Sequence, residues 1–476
     1  MSKSIFNPVA IFSSLISIVL SCSSGPGQPE VSVNADSLAT VLEESLKKHI
    51  FGAWFPLVID SADGGYFSNL TSDMKVAENQ PKMIVSQGRH VWTASQAAAF
   101  LNDPAYEGYA GHGVKFLIEH MWDKEYGGFY NLRTKSGGSP GGPSADDKRA
   151  YGNAFAIYGL SSYYNLTGDT IALNYARKAF RWLDEHSRDK ENGGYIDRMN
   201  RMGTWLSRTG AGMGQNRRTS RVAWKDFNSS IHLLEAFTEL YIAWPDELVR
   251  ERLNEMMHLV RDTFTTPKGY LTLFFTEDWT PVSNRDSGNL VIRQRSGMDH
   301  ISFGHDIETA FLLLEASHAL GIENDTTTLR IAKKLVDHTL ENGFDKKSGG
   351  LFDAGYYFPG NDTVTILNES ADWWVQSEAM NSLLLMSAVF PDEPRYMKAF
   401  LEIWKHIDAY LIDKEHGEWY IKGLYYNPEA KNAPKGSIWK TGYHNSRAMM
   451  NCIRILRDEY ELARHFAAPG TFLRLD

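Results

Sequence analysis

Six stretches of this chain carry apolar residues at three- and four-residue spacing behind a polar or aromatic first turn. They begin at Arg89-His90-Val91-Trp92, Tyr151-Gly152-Asn153, Asn228-Ser229-Ser230-Ile231-His232, His305-Asp306-Ile307-Glu308, Trp373-Trp374-Val375-Gln376-Ser377-Glu378 and His444-Asn445-Ser446-Arg447. That spacing predicts helices. Beyond the first turn each is apolar nearly all round, as in Thr309-Ala310-Phe311-Leu312-Leu313-Leu314. A helix apolar on most sides is buried. Six buried helices, each with its polar residues at the same end, predict a barrel wall with one chemically active mouth.

A short turn precedes every one of them: Gly64-Gly65-Tyr66-Phe67, Gly127-Gly128-Phe129-Tyr130, Gly193-Gly194-Tyr195-Ile196, Lys268-Gly269-Tyr270-Leu271, Gly349-Gly350-Leu351-Phe352 and Gly417-Glu418-Trp419-Tyr420. Counted at the second position, the spacings are 63, 66, 75, 81 and 68 residues. A sustained period of that length marks a repeat architecture. Each unit suits two helices and their loops, and six units can close into a ring. The helix starts follow most turns by about 24 residues, but the third and fourth by 34 and 36, so those two loops carry insertions.

The length of 476 residues then reads as one large barrel from about Asp36, without a linker of domain-joining composition. Thirteen Trp exceed what a core needs, and several are expected to line a groove. The N-terminus reads as a targeting segment, with Lys3 as its basic region and Val9 to Leu20 as an apolar stretch too short to span a bilayer. It ends in Val19-Leu20-Ser21-Cys22, which resembles a bacterial lipobox. Residues 1–21 are therefore read as a lipoprotein signal peptide, 22–35 as a flexible tether and 36–476 as the barrel. Cys22 is the expected lipidation site, which would hold the protein on a bacterial membrane facing the periplasm. The other cysteine, Cys452, is expected to be a buried thiol.

A net charge of −9 argues against nucleic acid as a partner. Arg208, Arg217, Arg218 and Arg221 form a basic cluster in the insertion before Asn228, read as a solvated loop or a lid over the mouth. No phosphate-binding glycine motif is present, which argues against a nucleotide cofactor.

The chemistry gathers at the helix starts. His305 and Glu308 are spaced to share a helix face, so Glu308 is expected to fix the imidazole tautomer. His232 with Glu235 and His444 with Arg447 repeat the spacing, and the three histidines are expected at equivalent places in the ring. Converging His and Glu from separate helices could hold zinc, although no metal motif is present. Glu308 and Glu378 could serve a glycoside hydrolase as acid and base. Aromatics with an arginine would suffice for a sugar-binding lipoprotein without catalysis. Two histidines with Arg89 suit proton transfer at a carbon beside a carbonyl, the arginine stabilising enediolate oxygens.

These segments resemble the N-acylglucosamine 2-epimerase superfamily, most closely its cellobiose 2-epimerase branch. The likeness rests on Ser302-Phe303-Gly304-His305-Asp306-Ile307-Glu308, Trp373-Trp374-x-Gln376-x-Glu378, Trp439-x-x-x-Tyr443-His444-Asn445-x-Arg447, Asn228 to Ala236, and Arg89 with Trp92. It runs from about residue 45 to about residue 460. The resemblance implies an all-α (α/α)6 barrel with short β-hairpin loops at one end. It also implies cofactor-free epimerisation at C2 of a reducing-end sugar through a cis-enediolate, and the lack of a ligand motif adds the expectation that no metal is needed. By position, His305 and His444 would be the acid/base pair, Glu308 would orient His305, and Arg89 and His232 would bind around the open aldehyde. Trp373, Trp439 and Glu378 would hold the sugars, with Trp374, Tyr151 and Asn228 also in the substrate site. The expected substrate is a β-1,4-linked disaccharide such as cellobiose or mannobiose. A monosaccharide or N-acylhexosamine epimerase, or an aldose–ketose isomerase, is the alternative.

Overall fold

The structure, a computed structural model, describes residues 34–206 and 224–467. Twelve long helices run through them in alternation. The outer ones are α1 (Ala35–Ser45), α3 (Pro104–Phe116), α5 (Thr170–His186), α7 (Glu247–His258), α9 (Thr326–Gly343) and α11 (Arg395–Tyr410). The inner ones are α2 (Ile84–Leu101), α4 (Ala150–Thr167), α6 (Phe227–Ala243), α8 (Phe303–Ala319), α10 (Trp373–Val389) and α12 (Tyr443–Leu456). The two classes differ as their sequences dictate. The outer helix α5 buries Ala172, Ala176, Ala179, Phe180, Trp182 and Leu183 and turns its charged residues toward water. The inner helix α10 is buried along nearly its whole length.

Each inner helix packs on the next, and α12 packs on both α1 and α2, so the ring closes into an (α/α)6 barrel. The α1 helix begins at Ala35, with Asn34 capping it through a bond from the Ser37 amide. Cys452 is buried in α12, as expected. Among the described residues no helix is long and apolar enough to cross a membrane. The lipobox at Cys22 and the cluster Arg208, Arg217, Arg218 and Arg221 lie outside the described residues. The insertion before His305 forms a short helix, Asn289–Arg295, whose Ile292 packs with Tyr356 and Phe358.

Short antiparallel pairings stitch neighbouring units at the mouth. Lys82 pairs with Arg133, Lys148 with Met199, Lys225 with Phe275, and Ile301 with Gly355. Under this rim four of the turns are clamped by their amides to the inner helix behind them. Gln87, Asn153, Asp306 and Gln376 accept bonds from the turn amides of Tyr66, Phe129, Leu271 and Leu351, at 2.8–2.9 Å. In four units a fully buried lysine also pairs with an aspartate four residues before the first turn glycine: Lys82 with Asp60, Lys148 with Asp123, Lys225 with Asp189, and Lys435 with Asp413. The lysine ammonium satisfies turn carbonyls as well, such as Gly64 and Gly417. A charge withdrawn from water persists only when partnered in this way.

Candidate active site

Arg89, His232, Glu308 and Glu378 are each the sixth residue of their inner helices, so they point into the barrel at one depth. His305 is the third residue of α8 and lies one turn nearer the mouth. The expectation of three equivalent histidines therefore fails for His232. It shares the level of the carboxylates, because it lies three residues further into its helix than His305 does into α8.

The two mouth histidines are built differently. His305 Nδ1 lies 2.7 Å from the hydroxyl of Ser302, the residue preceding α8. Its ring packs edge-on to Phe227 and tilted against Trp374, both at 4.5 Å between centroids. Glu308 does not touch it. That expectation is overturned: one helical turn separates the two side chains along the barrel axis, and Glu308 instead accepts from Arg447 Nη2 at 2.7 Å. His444 Nδ1 lies 2.7 Å from Glu378 Oε1 and 3.9 Å from Glu308 Oε1, and its ring sits 5.8 Å from Trp374. No described residue bonds Nε2 of either histidine. Burial holds both imidazoles well below their ordinary range, and the Arg89 charge depresses both further.

Below them Arg447 gathers the carboxylates. Its guanidinium bonds Glu308 at 2.7 Å, Glu378 at 2.8 Å and Glu235. Glu235 also accepts from the Tyr443 hydroxyl and lies 2.8 Å from His232 Nδ1. Burial opposes its charge, yet Arg447 and His232 hold Glu235 down at about 2. Burial pushes Glu378 up to about 8; Arg447 offsets part of this and the Glu308 charge adds to it. The ligand atoms of Glu308, Glu378 and His444 lie within 4.8 Å of one another, close enough to share a metal. The Arg447 guanidinium already bonds both carboxylates, so a cation stands where the ion's charge would be balanced. The same clamp ties Glu308 and Glu378 to one side of the site, not across a groove from each other as a hydrolase needs.

Arg89 completes the mouth. Its Nη1 donates to the Trp439 carbonyl at 3.0 Å and its Nη2 to the Tyr151 hydroxyl at 3.2 Å, with the rings of Phe155 and Tyr443 against its faces. Asn228 stands beside the Tyr151 hydroxyl. Trp439 is 46% exposed and Trp374 half-buried, but Trp373 is only 8% exposed. Trp373 packs the wall against Lys440, 5.3 Å from its ring, and is not part of the mouth. As the first residue of α10 it points away from the axis. The structure adds Ser302 and Tyr443 to the site. Ser302 was detectable as a capping-type residue one turn before His305; Tyr443 stood beside His444 with no signal of its own.

The sequence profile described as N-acylglucosamine 2-epimerase matches residues 65–448. The chain belongs to the N-acylglucosamine 2-epimerase family. That membership makes it a carbohydrate epimerase. Cellobiose 2-epimerase of Bacteroides fragilis is 27% identical over 419 residues, 87% of this chain and 97% of that protein. The solved structure of cellobiose 2-epimerase from Bacillus thermoamylovorans superposes with a TM-score of 0.75 at 26% identity, covering 88% of this chain and 99% of that one. D-mannose isomerase of Marinomonas mediterranea is 25% identical over 88% of this chain and 97% of that protein. The matched region runs from the first turn into α12 and leaves α1 outside it.

Proposed function

We propose that this chain is a 2-epimerase of reducing-end sugars, with His305 and His444 as its acid/base pair and a β-1,4-linked disaccharide as its preferred substrate. One observation carries the reading. Two imidazoles from different helices, His444 buried and His305 half-buried, each commit Nδ1 to a partner, leave Nε2 unbonded, and lie against the same Trp374 ring. In the opened sugar, His305 donates Nδ1–H to Ser302 and takes the C2 proton at Nε2. The electron pair moves onto the carbonyl oxygen, and Arg89 stabilises the resulting enediolate. His444 gives its Nε2 proton to the opposite face of C2 and receives another at Nδ1 from Glu378, whose raised affinity keeps it protonated near neutrality. Solvent then removes the proton from His305 and reprotonates His444 at Nε2, and the Nδ1 proton of His444 returns to Glu378. No step calls for a metal or cofactor.

The disaccharide preference rests on Trp439. A second sugar needs an apolar platform, and this exposed indole sits on the loop whose carbonyl holds Arg89. Likeness to a D-mannose isomerase keeps a monosaccharide reading in view, in which the proton returns to C1. Product analysis on cellobiose, mannobiose, glucose, mannose and N-acetylglucosamine in heavy water tests both. The expected result is the C2 epimer of the disaccharide with deuterium at C2, lost by about 10²–10⁴-fold in His305→Asn and His444→Asn. Equal or better turnover of free hexoses would move the assignment to a monosaccharide enzyme. Products with deuterium at neither C2 nor C1 would remove the enediolate.

We also propose export with lipid anchoring at Cys22. Support comes from the apolar stretch ending in Val19-Leu20-Ser21-Cys22 and from a reaction that needs no cytoplasmic cofactor.

A further inference from the structure

The sixth turn departs from the other five. Its second position is Glu418, where the others have glycine. Gly65, Gly128, Gly194 and Gly269 adopt φ of 65° to 94° there, and Glu418 adopts 59°. A side chain in that left-handed region is disfavoured, and such positions cluster where surrounding contacts demand them. Glu418 is also a fully buried carboxylate. Its Oε2 accepts from the Trp54 indole, and its Oε1 from Lys440 Nζ at 2.6 Å and Asn445 Nδ2 at 2.9 Å. Four other units clamp helix to turn through a turn amide, whereas here the clamp residue Asn445 bonds a side chain instead.

Both direct partners of Glu418 on this side adjoin active-site groups. Asn445 follows His444 in the chain. Lys440 follows Trp439, whose carbonyl holds Arg89. Lys440 is fixed further between Trp54 and Trp373, 5.9 and 5.3 Å from their rings. We propose that Glu418 is a positioning residue that sets His444 and the Trp439–Arg89 pair together, from one buried carboxylate. The inference rests on the epimerase reading for its kinetic consequence, though not for its structural one. Misplacing a reacting group by about 1 Å can cost on the order of 10²-fold in rate. A shared anchor would keep acid, oxyanion partner and sugar platform in one register.

The test uses Glu418→Gly, Asn445→Ala and Lys440→Met in the full chain. It reads kcat and KM on a reducing disaccharide, thermal melting, and the titration of each mouth histidine by ring NMR, assigned from His305→Asn and His444→Asn. His444 is faced by Glu378, Glu308, Arg447, Arg89, His305 and His232, and its depression comes chiefly from burial. Loosening its anchor admits water, so its apparent pKa should rise by about half a unit or more. Glu418→Gly, which restores the turn residue of the other units, should melt cooperatively, lose kcat about tenfold or more, and raise the His444 value while leaving His305 unmoved. Asn445→Ala should shift His444 and kcat but not KM. Lys440→Met should raise KM and leave the His444 titration in place. Unchanged kcat and titration in Glu418→Gly, or equal shifts of His305 and His444, overturn the proposal. If Glu418→Gly does not fold, the two single-link variants decide by the same criteria. A wild-type chain that turns over no sugar refutes the epimerase reading, and the titrations still decide the role of Glu418.

Discussion

His305 and His444 are neutral at a pH where free imidazole is partly charged, because burial and the Arg89 charge make a further proton costly. A base of depressed pKa stays competent below its ordinary range. The acid limb of kcat/KM is therefore expected below pH 6.5, the ordinary value for histidine. With Glu378 as the proposed proton donor to His444, the alkaline limb is expected near its value of about 8. A pH–rate profile checks both, and a single limb at ordinary histidine values would contradict the assignment. The same carboxyl sets a stability trend. Its folded value is raised from 4.5 to about 8, so its contribution is complete below pH 4.5 and is lost as pH rises toward 8. Glu378→Gln should gain on the wild type in melting temperature from pH 5 to pH 8; a constant offset would mean that Glu378 is already ionised at pH 5. At this scale the sequence announced residue types and helix faces but not partners. Glu308 is spaced correctly to reach His305, yet Arg447, from a helix far along the chain, takes it first.

The repeated unit was legible because its turn and its apolar helix recur together, and both are local. What joined turn to helix was less so. An aspartate stands four residues before the first turn glycine in five of the units, at Asp60, Asp123, Asp189, Asp345 and Asp413, a pattern visible in the sequence. Its lysine partner comes after a loop of variable length, so no fixed spacing marks it. Removing one partner of a buried pair strands the other charge, at about 3–5 kcal/mol. Lys82→Met should cost that much in chemical denaturation, and adding Asp60→Asn should recover part of it. A loss below about 1 kcal/mol would make the pair incidental. Helix phase also decided the tryptophans. Trp373 and Trp374 are adjacent in sequence and so point about 100° apart around the helix, and only one can face the mouth. Trp439→Ala is expected to lower kcat/KM on disaccharide more than on hexose. Trp373→Ala should instead lower stability, with the ratio between substrates unchanged.

For the whole molecule, the period of the turns predicted a ring, and α12 lying on α1 and α2 closes it. The register within the ring was less legible, since the insertions before α6 and α8 break the constant spacing by which units are aligned. The lipid anchor proposed at Cys22 lies outside the described residues and is tested apart from the barrel. Cys22→Ala should release the protein from the membrane fraction while sugar turnover in the extract persists. A soluble cytoplasmic wild type retaining Met1 would refute the anchor. Ring closure has a further consequence, in time instead of space. Arg89 and the Trp439 carbonyl that orients it are 350 residues apart, and His444 comes from the last unit. Contacts of such separation form late, after the intervening chain has been made. A nascent chain that ends before His444 lacks one of the two histidines proposed to react, so it is expected to be catalytically silent, and activity is expected to switch on when α12 seats against α1 and α2.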